Sequence, residues 1–257
     1  MRLTVLGGSA AGGNAGAGCS GYLLETGTTK LVFDLGPGTL MELRRHCNYR
    51  DLDAIVISHM HLDHVLDLCA LRFALAYNPI RPTNRIPLWL PPDGTTVLNR
   101  IAAGFADDGA GDAFFSDVFD VRNYVAGESL TIGDVTVDFS PTVHYIPCWA
   151  MRFRCNPSGD LGFTGDTGPA ANLQSFLTGC QVIVSEGTLL DPRDEPFATR
   201  GHLTAGEAGQ LATDCAAATL ILSHLWQEHG FDQLQRRAAA TFGGRLVVAH
   251  PGVVVEW

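Results

Sequence analysis

Apolar residues along this chain fall into short runs and alternating patches, separated by clusters rich in Gly, Pro, Asp and Asn, which is the pattern of many short strands. It predicts strands at Arg2–Leu6, Tyr22–Thr26, Lys30–Asp34, Ala54–Ser58, Leu88–Leu90, Ser129–Ile132 and Val135–Phe139. Further strands are expected at Ala150–Arg154, Leu161–Thr164, Val182–Ser185, Thr219–Leu222 and Leu246–Ala249. Apolar residues spaced three and four apart predict helices at Asp63–Ala76, Thr96–Ala103, Ala171–Leu177, Ala205–Cys215 and Phe231–Thr241. Thr204-Ala-Gly-Glu207 has the form of a capping box, which starts one helix immediately beyond His202. Hairpin-like strand pairs followed by alternating strands and helices indicate a mixed α/β (α+β) sheet system with helices outside. No linker, repeat or low-complexity tract interrupts the 257 residues, so a single domain over 1–257 is expected.

Polar residues break this pattern most sharply in His59-Met60-His61-Leu62-Asp63-His64, directly behind the apolar run Ala54-Ile55-Val56-Ile57-Ser58. Imidazoles and a carboxylate at the mouth of a buried strand need partners, because unpaired buried polar groups cost kilocalories each. A divalent metal supplies one, and neutral imidazole with carboxylate is a ligand set that Zn²⁺ favours. Three further candidates follow or interrupt apolar segments: His144, Asp166 and His224. Strand ends converge on one edge of a sheet, where α/β proteins place their sites. Seven ligands exceed one tetrahedral zinc and suit two metals with open positions for water. Asp166 is the carboxylate expected to be shared between them.

The order His-Met-His-Leu-Asp-His, later His, Gly-Asp-Thr and Ser-His resembles the metallo-β-lactamase fold superfamily. Arg2-Leu-Thr-Val-Leu-Gly-Gly8, Phe33-Asp-Leu-Gly-Pro-Gly38 and Gly201-His-Leu-Thr-Ala-Gly-Glu-Ala-Gly209 narrow the resemblance to its ribonuclease Z-like phosphodiesterase branch. The likeness is greatest to compact bacterial members that include cyclic-nucleotide phosphodiesterases. It implies a four-layer αββα sandwich, with a first metal held by His59, His61 and His144. A second would be held by Asp63, His64 and His224, with Asp166 bridging. Two such ions about 3.5–4 Å apart activate a water and clamp the attacking and leaving oxygens of an in-line displacement. Zinc suits these ligands, and manganese or iron is compatible with them. In the resembled branch the counterpart of His202 contacts the scissile phosphate and helps protonate the leaving oxygen, while Asp63 has a second role in orienting the nucleophile. Both are therefore candidate catalytic residues. Glu186, at a strand end, is a candidate to orient a histidine or a plain solvated charge.

Composition narrows the substrate. The net charge is −10 with only 17 Lys and Arg, whereas long nucleic acids are gripped chiefly through phosphates. No basic arm of the kind used by transfer RNA processing enzymes lies between His64 and His144. The expected reaction is hydrolysis of a small phosphodiester such as a cyclic nucleotide or short oligonucleotide. The alternatives are transfer RNA 3′ processing, hydrolysis of a lactone, β-lactam or thioester, and a non-catalytic metal-binding protein. Seven scattered cysteines without CxxC spacing, and no signal or membrane-spanning run, fit reduced thiols in a cytoplasmic protein. A homodimer is an open expectation, since relatives of this kind often dimerise.

Other motifs receive plainer readings. Gly16-Ala-Gly-Cys-Ser-Gly21 matches a dinucleotide fingerprint, but a strand and turn follow it where a helix is required. Asp107–Asp112 reads as an acidic surface loop without the length or terminal Glu of a calcium loop. His46, His229 and His250 are expected to bind no metal, and Trp226 to pack in the core or at a rim.

Overall fold

The computed structural model describes residues 1–106, 111–155, 157, 159–192 and 194–257. The acidic loop at Asp107–Asp112 thus falls outside the described residues, apart from the backbone of its last two.

The strands form two seven-stranded sheets. The first holds β1 (Arg2–Gly7), β2 (Gly21–Glu25), β3 (Lys30–Leu35), β4 (Ala54–Val56), β5 (Ile86–Leu90) and β6 (Phe119–Asn123). The second holds β7 (Leu130–Ile132), β8 (Val135–Pro141), β9 (Trp149–Arg154), β10 (Asp160–Phe163), β11 (Cys180–Glu186), β12 (Thr219–Ser223) and β13 (Arg245–Val248). The chain then returns as β14 (Val254–Glu256), pairing antiparallel with β1 so that Leu3 faces Val255 across the ladder. Around the sheets lie α1 (Thr39–His46), α2 (Leu62–Val65), α3 (Asp67–Tyr77), α4 (Gly94–Ala103), α5 (Gly111–Phe114), α6 (Gln174–Leu177), α7 (Ala205–Asp214) and α8 (Phe231–Ala239).

The residues explain the layering. On β3, Leu31 and Phe33 face the other sheet, in a core shared with Val137, Phe153, Phe163 and Val184. Val32, and Leu35 beyond the irregularity at Asp34, face outward, against Leu43 of α1 and Leu68, Leu71 and Leu75 of α3. On the far side, Ile183, Leu220 and Leu222 pack on Ala208 and Ala212 of α7 and Leu234 of α8. Both faces of the central strands are covered, which is why they read as nearly continuous apolar runs. The result is the expected four-layer αββα sandwich.

Four of the helices and strands escape the sequence pattern: α1, α5, β6 and β14. The helix expected over Asp63–Ala76 is divided at Leu66, and α3 begins where the Asp67 carboxylate accepts the backbone N–H of Leu40, 2.8 Å away. The one expected over Ala171–Leu177 is a 3₁₀ turn, Pro169–Ala171, broken from α6 by Asn172 at φ 50°. The Gly16–Gly21 segment runs into β2, so the dinucleotide reading fails as anticipated.

Candidate metal centre

The expected ligands arrive from both halves of the sandwich. His59 and His61 follow β4, and Asp63 and His64 open α2; His144 follows β8, Asp166 follows β10, and His224 follows β12. All seven meet at one edge of the paired sheets. The Trp149 N–H donates to the Ser58 carbonyl (3.3 Å), stitching the two sheets together beside the site. Close backbone approach shapes the loops. A Cβ on Gly36 would lie 1.8 Å from the Asp63 carbonyl oxygen, and one on Gly168 would lie 1.5 Å from that of Arg200. Asp34 (φ 54°) and His224 (φ 56°) are non-glycine residues in the left-handed region, a strain that persists where surrounding structure enforces it.

The ligand atoms form two groups. In the first, His61 Nδ1 lies 3.1 Å from His59 Nε2 and 3.0 Å from His144 Nε2, with Asp166 Oδ2 at 3.7 Å from both Nε2 atoms. In the second, Asp63 Oδ2 lies 3.1 Å from His224 Nε2 and 3.4 Å from His64 Nε2. Asp166 joins this group too, with Oδ1 at 3.5 Å from His64 and Oδ2 at 3.4 Å from His224. Ligands 2.0–2.1 Å from a tetrahedral ion stand about 3.3 Å apart, so both groups have the right size for one ion each. His64 Nε2 is buried without a hydrogen-bond partner among the described residues, as a lone pair reserved for a metal would be. The residues fit two divalent ions with Asp166 common to both.

Hydrogen bonds behind the ligands select the nitrogens that face inward. Asp34 accepts from His64 Nδ1 (2.6 Å), Ser58 N (2.8 Å), Ser58 Oγ (2.9 Å) and Ser20 Oγ (3.2 Å). With its hydroxyl hydrogen given to Asp34, Ser58 Oγ accepts from His59 Nδ1 at 3.0 Å. His144 Nδ1 donates to the Gly201 carbonyl (2.9 Å). His224 Nδ1 donates to Thr188 Oγ (2.7 Å), which passes its own hydrogen to Glu186 (2.6 Å). Each of these four rings therefore turns Nε2 to the centre, the arrangement that raises ligand basicity. Asp34 and Thr188 were not singled out from sequence as parts of the site. The only signal for Asp34 was a charged residue ending an otherwise apolar strand.

Electrostatics agree with this wiring at every candidate ligand whose pKa is shifted except His64, which carries its charge in the absence of a cation. Burial, above all, holds His59, His61 and His144 below the ordinary imidazole range, in the neutral form that ligates. Burial alone would raise Asp63 and Asp166, but the surrounding imidazoles (His224 and His64 foremost) hold both carboxylates well below their usual range. Burial likewise opposes charge on His64, yet Asp166 and Asp34 overcome it and push the ring upward.

Glu186 resolves as an orienting carboxylate. It accepts from His202 Nδ1 (3.0 Å) and from the backbone N–H groups of Thr167 (2.6 Å) and Leu203 (3.2 Å). His202 stands just before α7, whose capping box is complete. Its ring centroid is 5.0 Å from that of His144 and 5.5 Å from that of His224. His202, Ala11 and Leu62 join the ligands around a cavity of about 270 Å³. Tyr145, unremarked in the sequence, places its half-exposed ring 5.1 Å from His144 and 5.7 Å from His202, with its hydroxyl donating to Glu195 (2.7 Å). Of the histidines expected to bind no metal, His46 bonds Glu42 (2.8 Å) and His250 packs on Phe231. Trp226 is half-buried, on the segment after His224.

A two-sheet sandwich with paired His/Asp clusters at one edge defines a metallo-hydrolase framework. The family described as the beta-lactamase superfamily domain matches residues 29–225, and the chain belongs to it. An uncharacterised protein of Mycobacterium leprae (strain TN) is 34% identical over 248 residues, covering 95% of this chain and 84% of that protein. The probable metallo-hydrolase YhfI of Bacillus subtilis (strain 168) is 28% identical over 258 residues, covering all of both. The crystal structure of YhfI superimposes with a TM-score of 0.83 at 26% identity, over 99% of each chain. The ribonuclease Z of Thermobifida fusca (strain YX) is 24% identical over 302 aligned positions, covering 96% of this chain and 92% of that protein. No helix of the described residues is long and apolar enough to cross a membrane.

Proposed function

We propose that this protein is a two-metal phosphodiesterase acting on a small phosphodiester, such as a cyclic nucleotide or a short oligonucleotide. The observation that carries this reading is His202, fixed by Glu186 at the wall of the cavity that the ligands surround. With Nδ1 committed to Glu186, Nε2 is the nitrogen that handles a substrate proton. An alkoxide leaving a phosphodiester needs that proton, and imidazole titrates near working pH. Bound divalent ions, zinc being the best match to five imidazoles and two carboxylates, supply Lewis acidity and an activated water. Asp63, in the first turn of α2, lines the cavity and would hold one ion, a position from which it would also orient the attacking group.

Charge and size favour a small substrate over transfer RNA. The net charge is −10, and phosphate-rich partners are held by Lys and Arg. The alignment with the Thermobifida ribonuclease Z spans 302 positions against 257 residues here, so at least 45 positions of that enzyme have no counterpart in this chain. Acyl hydrolysis makes less use of a fixed histidine beside the phosphate-side leaving group. The test is a panel on zinc-loaded protein: an aryl phosphodiester, cyclic nucleotides, precursor transfer RNA, a lactone and a β-lactam. Turnover of the small phosphodiesters is expected, with His202→Ala losing about 10²–10⁴-fold in kcat while retaining both ions. Efficient acyl turnover without phosphodiester turnover would overturn the reading. Loss of metal from His202→Ala would make that residue a ligand instead of an acid.

A further inference from the structure

We propose that Tyr145 sets the specificity of the metal centre, as a platform on which an uncharged planar ring carried by the leaving side of the phosphodiester stacks. A nucleoside is the leaving group this describes, and the inference rests on the phosphodiesterase reading above. Tyr145 directly follows the candidate ligand His144, in the segment between β8 and β9. Its ring is held from several directions. The centroid lies 5.1 Å from that of His144 and 5.7 Å from that of His202, and the hydroxyl donates to Glu195 (2.7 Å). The hydroxyl end of the ring packs close against Gly201, where a Cβ would stand 2.7 Å from Cε2 and Cζ and 3.0 Å from Cε1. Only glycine at that position admits the ring where it lies. Even so, 52% of the residue is exposed. An exposed aromatic alone needs no explanation. This one is fixed beside the histidine that hands a proton to the leaving oxygen, and a side chain already fixed loses little freedom on binding.

The position of the ring selects the leaving side. In-line displacement sends the leaving oxygen towards His202, so the group it carries emerges beside Tyr145. The cavity itself, about 270 Å³, is smaller than the roughly 300–1,000 Å³ of most small-molecule sites. With ions and the reacting phosphate inside, a base has to lie at the mouth. None of the described residues lining the cavity is Lys or Arg, so a second phosphate would find no side-chain cation there. The carboxylate of Glu195, at the end of the Tyr145 ring, repels an anionic leaving group further. What the mouth offers instead is apolar area from Leu62, 57% exposed, and the π face of Tyr145. Base–aromatic stacking is the interaction that uses such a surface, and it tolerates any base.

The experiment compares two diesters with the same leaving alkoxide: a dinucleoside monophosphate, and its counterpart in which the leaving sugar is abasic. Zinc-loaded wild type, Tyr145→Ala and Tyr145→Phe are assayed on both. Wild type is expected to favour the base-bearing diester in kcat/KM by about 5–150-fold, the range for one stacked base. Tyr145→Ala should bring that ratio close to one, and Tyr145→Phe, which keeps the ring, should retain most of it. A purely structural role would lower both diesters together and leave the ratio alone. Calorimetric binding of the methylenephosphonate analogues of the same pair, in which CH₂ replaces the leaving oxygen, gives a readout independent of turnover and should show the same preference and the same loss. Equal values for the pair in wild type overturn the proposal, as does a ratio that survives in Tyr145→Ala. A ratio lost as fully in Tyr145→Phe would assign the effect to the hydroxyl and Glu195, and overturns the platform too. Turnover of neither diester would overturn the phosphodiesterase reading instead, and the analogue pair would then decide the platform by itself.

Discussion

Asp34→Asn probes whether the hydrogen bonds behind the ligands choose the nitrogens that hold metal. Asp34 is fully buried and accepts four hydrogen bonds, from Ser58 N on Oδ1 and from Ser58 Oγ, Ser20 Oγ and His64 Nδ1 on Oδ2. An amide keeps the shape but has one accepting oxygen. If its nitrogen takes the Oδ2 position, the two hydroxyls can rotate to accept, but His64 must move its proton to Nε2. That is the nitrogen aimed at Asp63, Asp166 and His224. If its nitrogen takes the other position, the buried Ser58 N–H faces a donor, at a cost of about 1–3 kcal/mol. Water cannot relieve either arrangement in a site this buried. The expected result is a 10–100-fold weaker second metal position, about 1.4–2.7 kcal/mol, or an equivalent loss of stability. Competition with a chromophoric chelator for two zinc equivalents reads the first, and thermal unfolding of the metal-free protein reads the second. Wild-type affinity at both positions together with an unchanged Tm would refute the reasoning.

Three other perturbations have defined outcomes. Glu186→Gln leaves one of the donors from Thr167, Leu203, Thr188 or His202 unsatisfied, so kcat should fall about 10–100-fold and the alkaline limb of the pH–rate profile should move, with the wild-type fold by circular dichroism; an unchanged profile would count against the His202 assignment. Gly168→Ala sets a Cβ 1.5 Å from the Arg200 oxygen, and a cost of about 1–3 kcal/mol should lower Tm by about 2–4 °C per kcal/mol; a Tm within 1 °C would show that the loop yields freely. Burial pushes the thiols of Cys19, Cys47 and Cys215 up to about 11 and that of Cys180 to about 12. Above the ordinary thiol range, near pH 8.5–9, the unfolded chain loses these protons while the folded one keeps them, so stability should fall as pH rises from about 9 towards 11. Lys30 is the chain's only lysine, so amines contribute little there. Guanidinium unfolding under reductant at pH 7.5 and pH 10 checks the sign, and greater stability at pH 10 would contradict it.

The sequence shows the candidate metal ligands more clearly than the structure around them. Each of the seven is a polar residue set against an apolar strand, and that contrast survives without coordinates. What supports them is less visible. Asp34 lies near the end of its strand like any surface carboxylate, and only the fold reveals four donors converging on it from just before β2, just after β4 and from α2. Thr188 carries a hydroxyl that joins His224 to Glu186, a role set by distance alone. Tyr145 is adjacent to a ligand in sequence, but its place beside His202 depends on a loop sixty residues away. Among the elements, β6 and β14 are missed because each owes its pairing to a remote neighbour. The divided helix after His61 reflects a tertiary contact, Asp67 capping α1, that local periodicity does not contain.

The most direct test of the central claim, that one seven-ligand centre works as a two-metal phosphodiesterase, is to titrate metal-stripped protein with zinc while following hydrolysis of an aryl phosphodiester. Activity should be negligible without metal, remain low at one equivalent and reach its plateau at two, with Asp166→Asn unable to reach it at any equivalence. Full activity at one equivalent, or in the metal-stripped protein, would contradict the account.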